Sequence, residues 1–207
     1  MSDPADRIIG LYDDRAGDWI ADRGRTLGGP EKTLDEVAAL EAFVEALPPG
    51  ARILDVGCGS GWPWGEALLE RGFRVTGVDT SPRLIAHAAT SLPHGEWVVG
   101  DMRTFDLGRT FDGLIVWYSL FHLRPDDQRI ALDRILAHAA PACTLMMTAG
   151  WGGGVRIGAW RGEPLYHASL PPDVETAALT AAGFRAGPCP LPDAGLSDPR
   201  VRLARRG

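Results

Sequence analysis

Apolar positions recur along this chain with two alternating periods, and the period changes at glycine- and proline-rich punctuation. From Thr33 onward, Leu34, Val37, Leu40, Val44 and Leu47 fall at helical spacing, and Thr33 with Glu36 forms a capping box that opens the helix. Pro48-Pro49-Gly50 closes it. Arg52 to Val56 is then a short apolar run, the mark of a buried strand, followed by a glycine loop and a helical stretch from about Trp64 to Glu70. Phe73 to Val78, Trp97 to Val99, Phe111 to Tyr118 and Thr144 to Thr148 predict four further strands. Between them, Ser81 caps a helix with Pro82 at its first position, and Pro125 to Ala140 forms a helix with Asp126 and Asp127 in its first turn. Pro171 to Ala182 predicts a last helix stopped by Gly183, and Val201 to Ala204 a last edge strand. Short apolar strands alternating with helices predict an α/β fold: a doubly wound, mostly parallel sheet with helices on both faces.

Composition narrows the function. The 207 residues fit one domain, and no repeat or low-complexity tract divides them. Lys plus Arg is 21 against 27 Asp plus Glu, a net charge of −6, which argues against a nucleic-acid partner. Cys58, Cys143 and Cys189 form no CxxC pair, which argues against a disulfide scaffold or zinc knuckle and suits a reducing compartment. The five histidines show no HExxH or comparable spacing, so no metal is expected. Met1 to Gly10 lacks a signal-peptide core, and the longest mostly apolar run, Leu114 to Leu123, is too short to cross a bilayer. A soluble, cytoplasmic protein without a membrane partner is the expectation.

The informative stretch is Ile53-Leu54-Asp55-Val56-Gly57-Cys58-Gly59-Ser60-Gly61. A strand runs into three alternate glycines and then a helix, so a ligand can approach the backbone without a Cβ in its way. Asp79 stands at the end of the second strand, where a carboxylate accepts both hydroxyls of a ribose, and Asp101 follows the third strand, a suitable place to meet an adenine amino group. Three such features at successive strand ends define a nucleoside site. A dinucleotide loop reads G-x-G-x-x-G, whereas this one is G-x-G-x-G with Trp62 at the place of the last glycine. Asp55, two residues before Gly57, would repel a pyrophosphate and attract the ammonium of a methionine moiety. No GxxxxGK[ST] occurs.

Through Ile53 to Gly61, Val75-Thr76-Gly77-Val78-Asp79-Thr80-Ser81, Val99-Gly100-Asp101-Met102 and Phe111-Asp112-Gly113-Leu114-Ile115-Val116, the chain resembles the class I S-adenosylmethionine-dependent methyltransferases, particularly their small members. The resemblance spans roughly Thr33 to Thr148. It implies S-adenosylmethionine as cofactor, S-adenosylhomocysteine as product, and a seven-stranded Rossmann-like sheet with one antiparallel edge strand. It further implies that Gly57, Gly59 and Gly61 line the methionine and ribose, and that Asp79 takes the ribose hydroxyls. Asp101 and the Met102 backbone would hold adenine, and the strand end from Trp117 to Leu120 would flank the sulfonium. Cys58, Trp62, Thr80 and Ser81 belong to the same loops and join the cofactor-binding set, with Asp55. One domain is expected over 1–207: a cap segment (1–32), a cofactor-binding core (33–148), and a lid and acceptor-side part (149–207).

Family members often carry a tyrosine in an N-terminal helix that closes over the cofactor, and the segment holding Tyr12 and Trp19 looks like it. Their spacing of seven equally fits ordinary packing on one helix face. His122, after the fourth strand, is the general-base candidate because histidine titrates near neutrality, with Tyr12 beside it as a second catalytic candidate. Trp151, Trp160, Tyr166 and His167 are candidates for an apolar acceptor pocket, and the glycine-rich stretch from Trp151 to Glu163 reads either as a lid or as a surface loop. The expected reaction is in-line transfer of a methyl group to an O, N or S atom of a small molecule. The alternatives are an RNA or protein methyltransferase and a non-catalytic S-adenosylmethionine-binding protein.

Overall fold

The computed structural model describes residues 4–27, 36–149, 152–185 and 201–207. Seven strands form one sheet: β1 (Arg52–Val56), β2 (Arg74–Asp79), β3 (Glu96–Val99), β4 (Phe111–Val116), β5 (Ala139–Thr148), β8 (Phe184–Arg185) and β9 (Val201–Arg206). Their order is β3-β2-β1-β4-β5-β9-β8. The first five pair in parallel, and β9 runs antiparallel to both β5 and β8. The antiparallel strand, expected from Val201 at the edge, therefore stands one place in, with the two-residue β8 outside it.

Alternation along the strands decides which helix goes where. Leu54, Val56, Leu114 and Leu145 face α6 (Pro125–Leu136) and α7 (Pro172–Ala181), while Ile53, Val75, Ile115 and Met146 face α3 (Glu36–Glu45) and α4 (Trp64–Glu70). Both faces are covered, which is why these strands read as continuous apolar runs. Phe43, Ile53, Leu54, Leu114, Ile115 and Leu145 are fully buried, each contributing about 1.5–3 kcal/mol by burial. Asp55 is the exception on β1: it follows Ile53 onto the α3/α4 face and is itself buried.

Several boundaries differ from the sequence reading for local reasons. Thr33, the expected cap of α3, lies outside the described residues, and Glu36 is a buried residue of that helix. α6 ends at Leu136, before Ala140, and Ala139 already belongs to β5. Ala142 takes a positive φ of 60° and the β4–β5 register slips there, which hides the first half of β5 from a pattern search. His138, just past the end of α6, is buried: its ring stacks on Phe105, Nδ1 donates to the Arg134 carbonyl and Nε2 accepts from Leu107 N–H. Its role is to hold the Phe105–Gly108 turn.

Two elements lie outside the sheet. α1 (Pro4–Asp14) and α2 (Ala16–Arg23) break at Arg15, so the cap is a bent pair of helices. Within the stretch from Trp151 to Glu163, expected as a lid or a surface loop, lies a strand, β6 (Gly154–Trp160), which pairs with β7 (Glu163–Ser169) as a β-hairpin. Arg161 and Gly162 form its turn with φ of 49° and 83°, the both-positive pattern of the two-residue turn that matches strand twist.

Candidate active site

The site is built at the carboxyl ends of β1, β2 and β4, where the strand order reverses. β1 leads into Gly57, whose N–H donates to the Val78 carbonyl at 2.7 Å. Gly57 has φ +76°, and a Cβ there would fall 2.2 Å from the Cβ of Ser119. Gly59 has φ +56° and lies under the Trp19 ring, with Cη2 2.6 Å from where its Cβ would be. Gly61 differs: a Cβ there would strike Trp97 at 2.7 Å and Leu92 at 2.9 Å, so its role is to let α4 and β3 approach. It lines neither cavity of the site.

Asp79 terminates β2 and ties two loops together. One oxygen accepts from Gly59 N–H and the other from Ser81 N–H, each at 2.9 Å. Burial raises its pKa against these bonds. Ser81, expected in the cofactor site, is consumed by structure: its Oγ accepts from Leu84 N–H at the start of α5 (Pro82–Ser91) and donates to Asp13. Asp13 also accepts from Arg83 N–H, which pins the cap to α5.

Two cavities open onto this edge. The first, ≈ 100 Å³, is bounded by Gly57, Gly59, Asp79, Thr80, Asp101 and Met102 below and by Ile8, Tyr12 and Trp19 above. Asp101 shares its carboxylate with Arg103, whose Nε lies 2.9 Å away, and that contact lowers its pKa. The second cavity, ≈ 240 Å³, is bounded by Asp55, Cys58, Trp62, Trp64 and Trp117 on the core side and by Phe121, His122, Leu165 and His167 on the other. Tyr12, Trp19, Gly57, Tyr118 and His122 belong to both. A ligand reaching from one cavity to the other must pass this wall.

His122 is the hinge of that wall. Nδ1 lies 2.9 Å from the Tyr166 carbonyl, which can only accept, so Nδ1 carries the proton. Nε2 is then a lone pair, and Tyr12 O–H donates to it at 2.9 Å. Burial lowers the His122 pKa to about 4, with the Tyr166 bond opposing and His167 assisting. The imidazole is neutral at pH 7. Burial and nearby Asp79 raise the Tyr12 phenol above its ordinary range. Tyr12 stacks on Trp160 at 5.9 Å, and Trp160 Nε1 donates to Asp22 at 2.9 Å, so the hairpin backs the cap. Arg161 adds ion pairs to Asp18 and Asp22.

Burial raises the Asp55 pKa to about 7, Asp79 adds to the shift, and Arg23 opposes it. Arg23 makes a buried pair with Glu36 at 2.9 Å, and the same carboxylate accepts from Trp117 Nε1 at 3.1 Å. Trp117 is thus a fixed wall behind Asp55. Trp62 packs edge-on to His87 and under the Arg25 guanidinium. The Cys58 thiol, buried beside Asp55, is held well above its ordinary pKa by desolvation.

Among the acceptor-pocket candidates, His167 lines the second cavity. Tyr166 does not, because its ring packs on Ile8 and Ala168 beneath α1 and only its carbonyl serves the site. Trp160 acts through Tyr12, and Trp151 lies outside the described residues. Sequence reasoning missed Arg23, Glu36 and Phe121 as site residues. Glu36 looked like a helix cap, and nothing in the pattern ties Arg23 to it. Among the described residues no three metal-binding side chains converge, and no helix is long and apolar enough to cross a membrane.

A family model described as a methyltransferase domain matches residues 53–142. The dTDP-4-amino-2,3,4,6-tetradeoxy-D-glucose N,N-dimethyltransferase of Saccharopolyspora spinosa is 30% identical over 156 residues, 72% of this chain and 55% of that protein. A second amino-sugar N,N-dimethyltransferase, from Streptomyces fradiae, is 33% identical over 56% of this chain and 46% of its own length. The chain spans about half the length of these curated relatives. Among solved structures, the amino pentose methyltransferase CalS10 from Micromonospora echinaspora, determined with S-adenosylmethionine bound, superposes with a TM-score of 0.68 at 25% identity, covering 86% of this chain and 93% of that one. With the sheet order above, the chain is similar in fold, and over residues 53–142 in sequence, to S-adenosylmethionine-dependent methyltransferases of class I. S-adenosylmethionine is the cofactor of that family, and the site suits it. Gly57 and Gly59 offer backbone without Cβ atoms, and the Asp79 and Asp55 carboxylates stand on either side of the shared wall.

Proposed function

We propose that this chain moves the methyl group of S-adenosylmethionine onto an oxygen, nitrogen or sulfur of a small molecule by in-line displacement. The observation that carries the reading is the pair of cavities joined at Gly57, Tyr12 and His122. When bound, the cofactor supplies an electrophilic methyl on a sulfonium. Asp79 and Asp101 suit the ribose and adenine in the first cavity, and Asp55 suits the ammonium in the second. Tyr12 and Trp19 cover the junction and keep water from it, which strengthens electrostatic interactions inside. His122 Nε2, once Tyr12 turns aside, accepts a hydrogen bond from the acceptor's X–H and aims its lone pair. Its low basicity suits orienting more than proton storage, so positioning supplies most of the acceleration. The amino-sugar relatives make an amine the first acceptor atom to try. The ≈ 240 Å³ cavity favours a small molecule over RNA or protein.

S-adenosylhomocysteine is expected to raise the melting temperature while NAD and ATP do not, because only a ligand of the folded state stabilises it. Stabilisation by NAD alone would overturn the reading. Release of S-adenosylhomocysteine in a screen of amines, phenols, carboxylates and thiols then separates an enzyme from a non-catalytic binder.

Asp55 makes a further signature. Its folded pKa of about 7 lies above that of an ordinary carboxylate, so the folded state holds the extra proton between roughly pH 4 and 7. Its contribution to stability falls as pH rises through that window and is level above it. An ammonium bound beside Asp55 favours the carboxylate, so binding at about pH 6.5 should release up to about one proton, and almost none near pH 8.5. Calorimetry in buffers of different ionisation enthalpy measures this. Equal proton release by wild type and Asp55→Asn would place Asp55 away from the ligand.

A further inference from the structure

The hairpin brings more than a wall to the second cavity. In the β6–β7 register Arg156 stands directly opposite His167, and cross-strand partners share one face of a sheet. That face is turned to the cavity, because His167 lines it and lies 5.1 Å, ring to ring, from both His122 and Phe121. Gly158, two residues beyond Arg156, leaves space into which the imidazole leans: a Cβ there would meet His167 Cε1 at 3.5 Å. Arg156 is exposed, and no hydrogen bond or ion pair engages its side chain among the described residues. The acidic residues of the neighbouring elements are engaged elsewhere. Glu163 pairs with Arg7 and Arg15, Asp18 with Arg15 and Arg161, and Asp22 with Arg161. In a chain of net charge −6, the hairpin face that His167 turns to the cavity thus also carries, beside that imidazole, a guanidinium with no partner among the described residues.

We propose that Arg156, with His167, receives an oxyanion carried by the methyl acceptor, so that the acceptor is a small acid whose opposite end reaches His122. This rests on the methyl-transfer reading and adds its substrate class. A guanidinium presents a fork of N–H donors that matches phosphoryl or carboxylate oxygens, which an isolated ammonium does not.

The test uses the full chain saturated with S-adenosylhomocysteine, whose binding is first measured by calorimetry. Pyrophosphate, phosphate and acetate are then titrated at constant ionic strength against chloride, following the His167 imidazole resonance, assigned by its loss in His167→Gln. Pyrophosphate or phosphate is expected to shift the resonance saturably if the acceptor is a phosphate ester, and acetate if it is a carboxylic acid. Arg156→Ala should weaken the response at least tenfold, with Arg156→Lys intermediate because a point charge replaces the fork. No anion exceeding chloride in the wild type, or an unchanged response in Arg156→Ala, overturns the proposal while intact S-adenosylhomocysteine binding leaves the methyltransferase reading standing. Failure of S-adenosylhomocysteine to bind the wild type overturns that reading itself, and this proposal with it.

Discussion

Gly57→Ala is expected to destabilise the protein by about 2–5 kcal/mol, the sum of left-handed backbone strain and overpacking. The backbone at Gly57 has φ +76°, and the added Cβ would lie 2.2 Å from the Cβ of Ser119 and 2.7 Å from its Oγ. Ser119 cannot simply swing away, because its Oγ donates to the Val56 carbonyl at 2.8 Å. Nor can the loop rise, because Gly57 N–H is bound to Val78 O. For a chain of this size the melting temperature should fall by on the order of 10 °C. Gly108→Ala supplies the control: it has φ +63° but nothing within 4 Å, so only the strain, ~1–2 kcal/mol, remains. If the two variants melt together, the close approach of Gly57 and Ser119 has no energetic weight.

The same contact explains why the cofactor edge is rigid while its cover is assembled from distant pieces. The Ser119 side chain, packed on Gly57 and donating its Oγ–H to the Val56 carbonyl, joins the ends of β1 and β4. The cover, by contrast, is held to that edge by polar links from three directions. Tyr12 reaches His122, Asp13 reaches Ser81 and Arg83, and Asp18 and Asp22 reach Arg161 on the hairpin. Exposed ion pairs of the last kind are worth about 0–1 kcal/mol each. Apolar packing adds to these links, with Ile8 and Tyr12 of the cap clustered against Tyr166 and Leu165 of the hairpin.

How much of this was legible in the sequence follows from how local each cause is. The strands and the glycine loop were, because burial on two faces writes continuous apolar runs and a backbone-lined cavity demands glycine. The division of labour among the glycines was not: Gly61 reads like Gly57 and Gly59 until Trp97 is seen against it. β6 was not legible, because Gly152, Gly153 and Gly154 dominate its entry and its turn carries Arg161 where such turns favour Asn, Asp or Gly. That the Ser81 hydroxyl caps α5 and the Tyr166 ring packs under α1 is not legible in the sequence, since a cap bond and a side-chain direction are settled in three dimensions. The Arg23–Glu36–Trp117 cluster joins residues from three separate elements, and no spacing rule connects them.

Asp79→Asn is expected to weaken S-adenosylhomocysteine binding by at least about tenfold, which is ~1.4 kcal/mol or more. Two effects act together. The carboxylate uses both oxygens internally, toward Gly59 N–H and Ser81 N–H, and its remaining lone pairs face the first cavity. An amide keeps one oxygen and turns an NH₂ toward one of those donors, leaving it unsatisfied at a cost of about 1–3 kcal/mol. It also removes the negative charge, and charge-assisted bonds to a ribose hydroxyl are worth about 1.5–3 kcal/mol against about 1 for neutral ones. Ser81→Ala separates the two. It deletes the α5 cap and one bond to Asp13 but keeps the Ser81 N–H bond to Asp79 and the carboxylate charge, so it should cost ~1 kcal/mol of stability and weaken affinity less than Asp79→Asn does. Calorimetry on both variants, at a temperature where circular dichroism shows each folded, reads the difference. Unchanged affinity in folded Asp79→Asn would make Asp79 a clamp for two loops and take the ribose contact away from it.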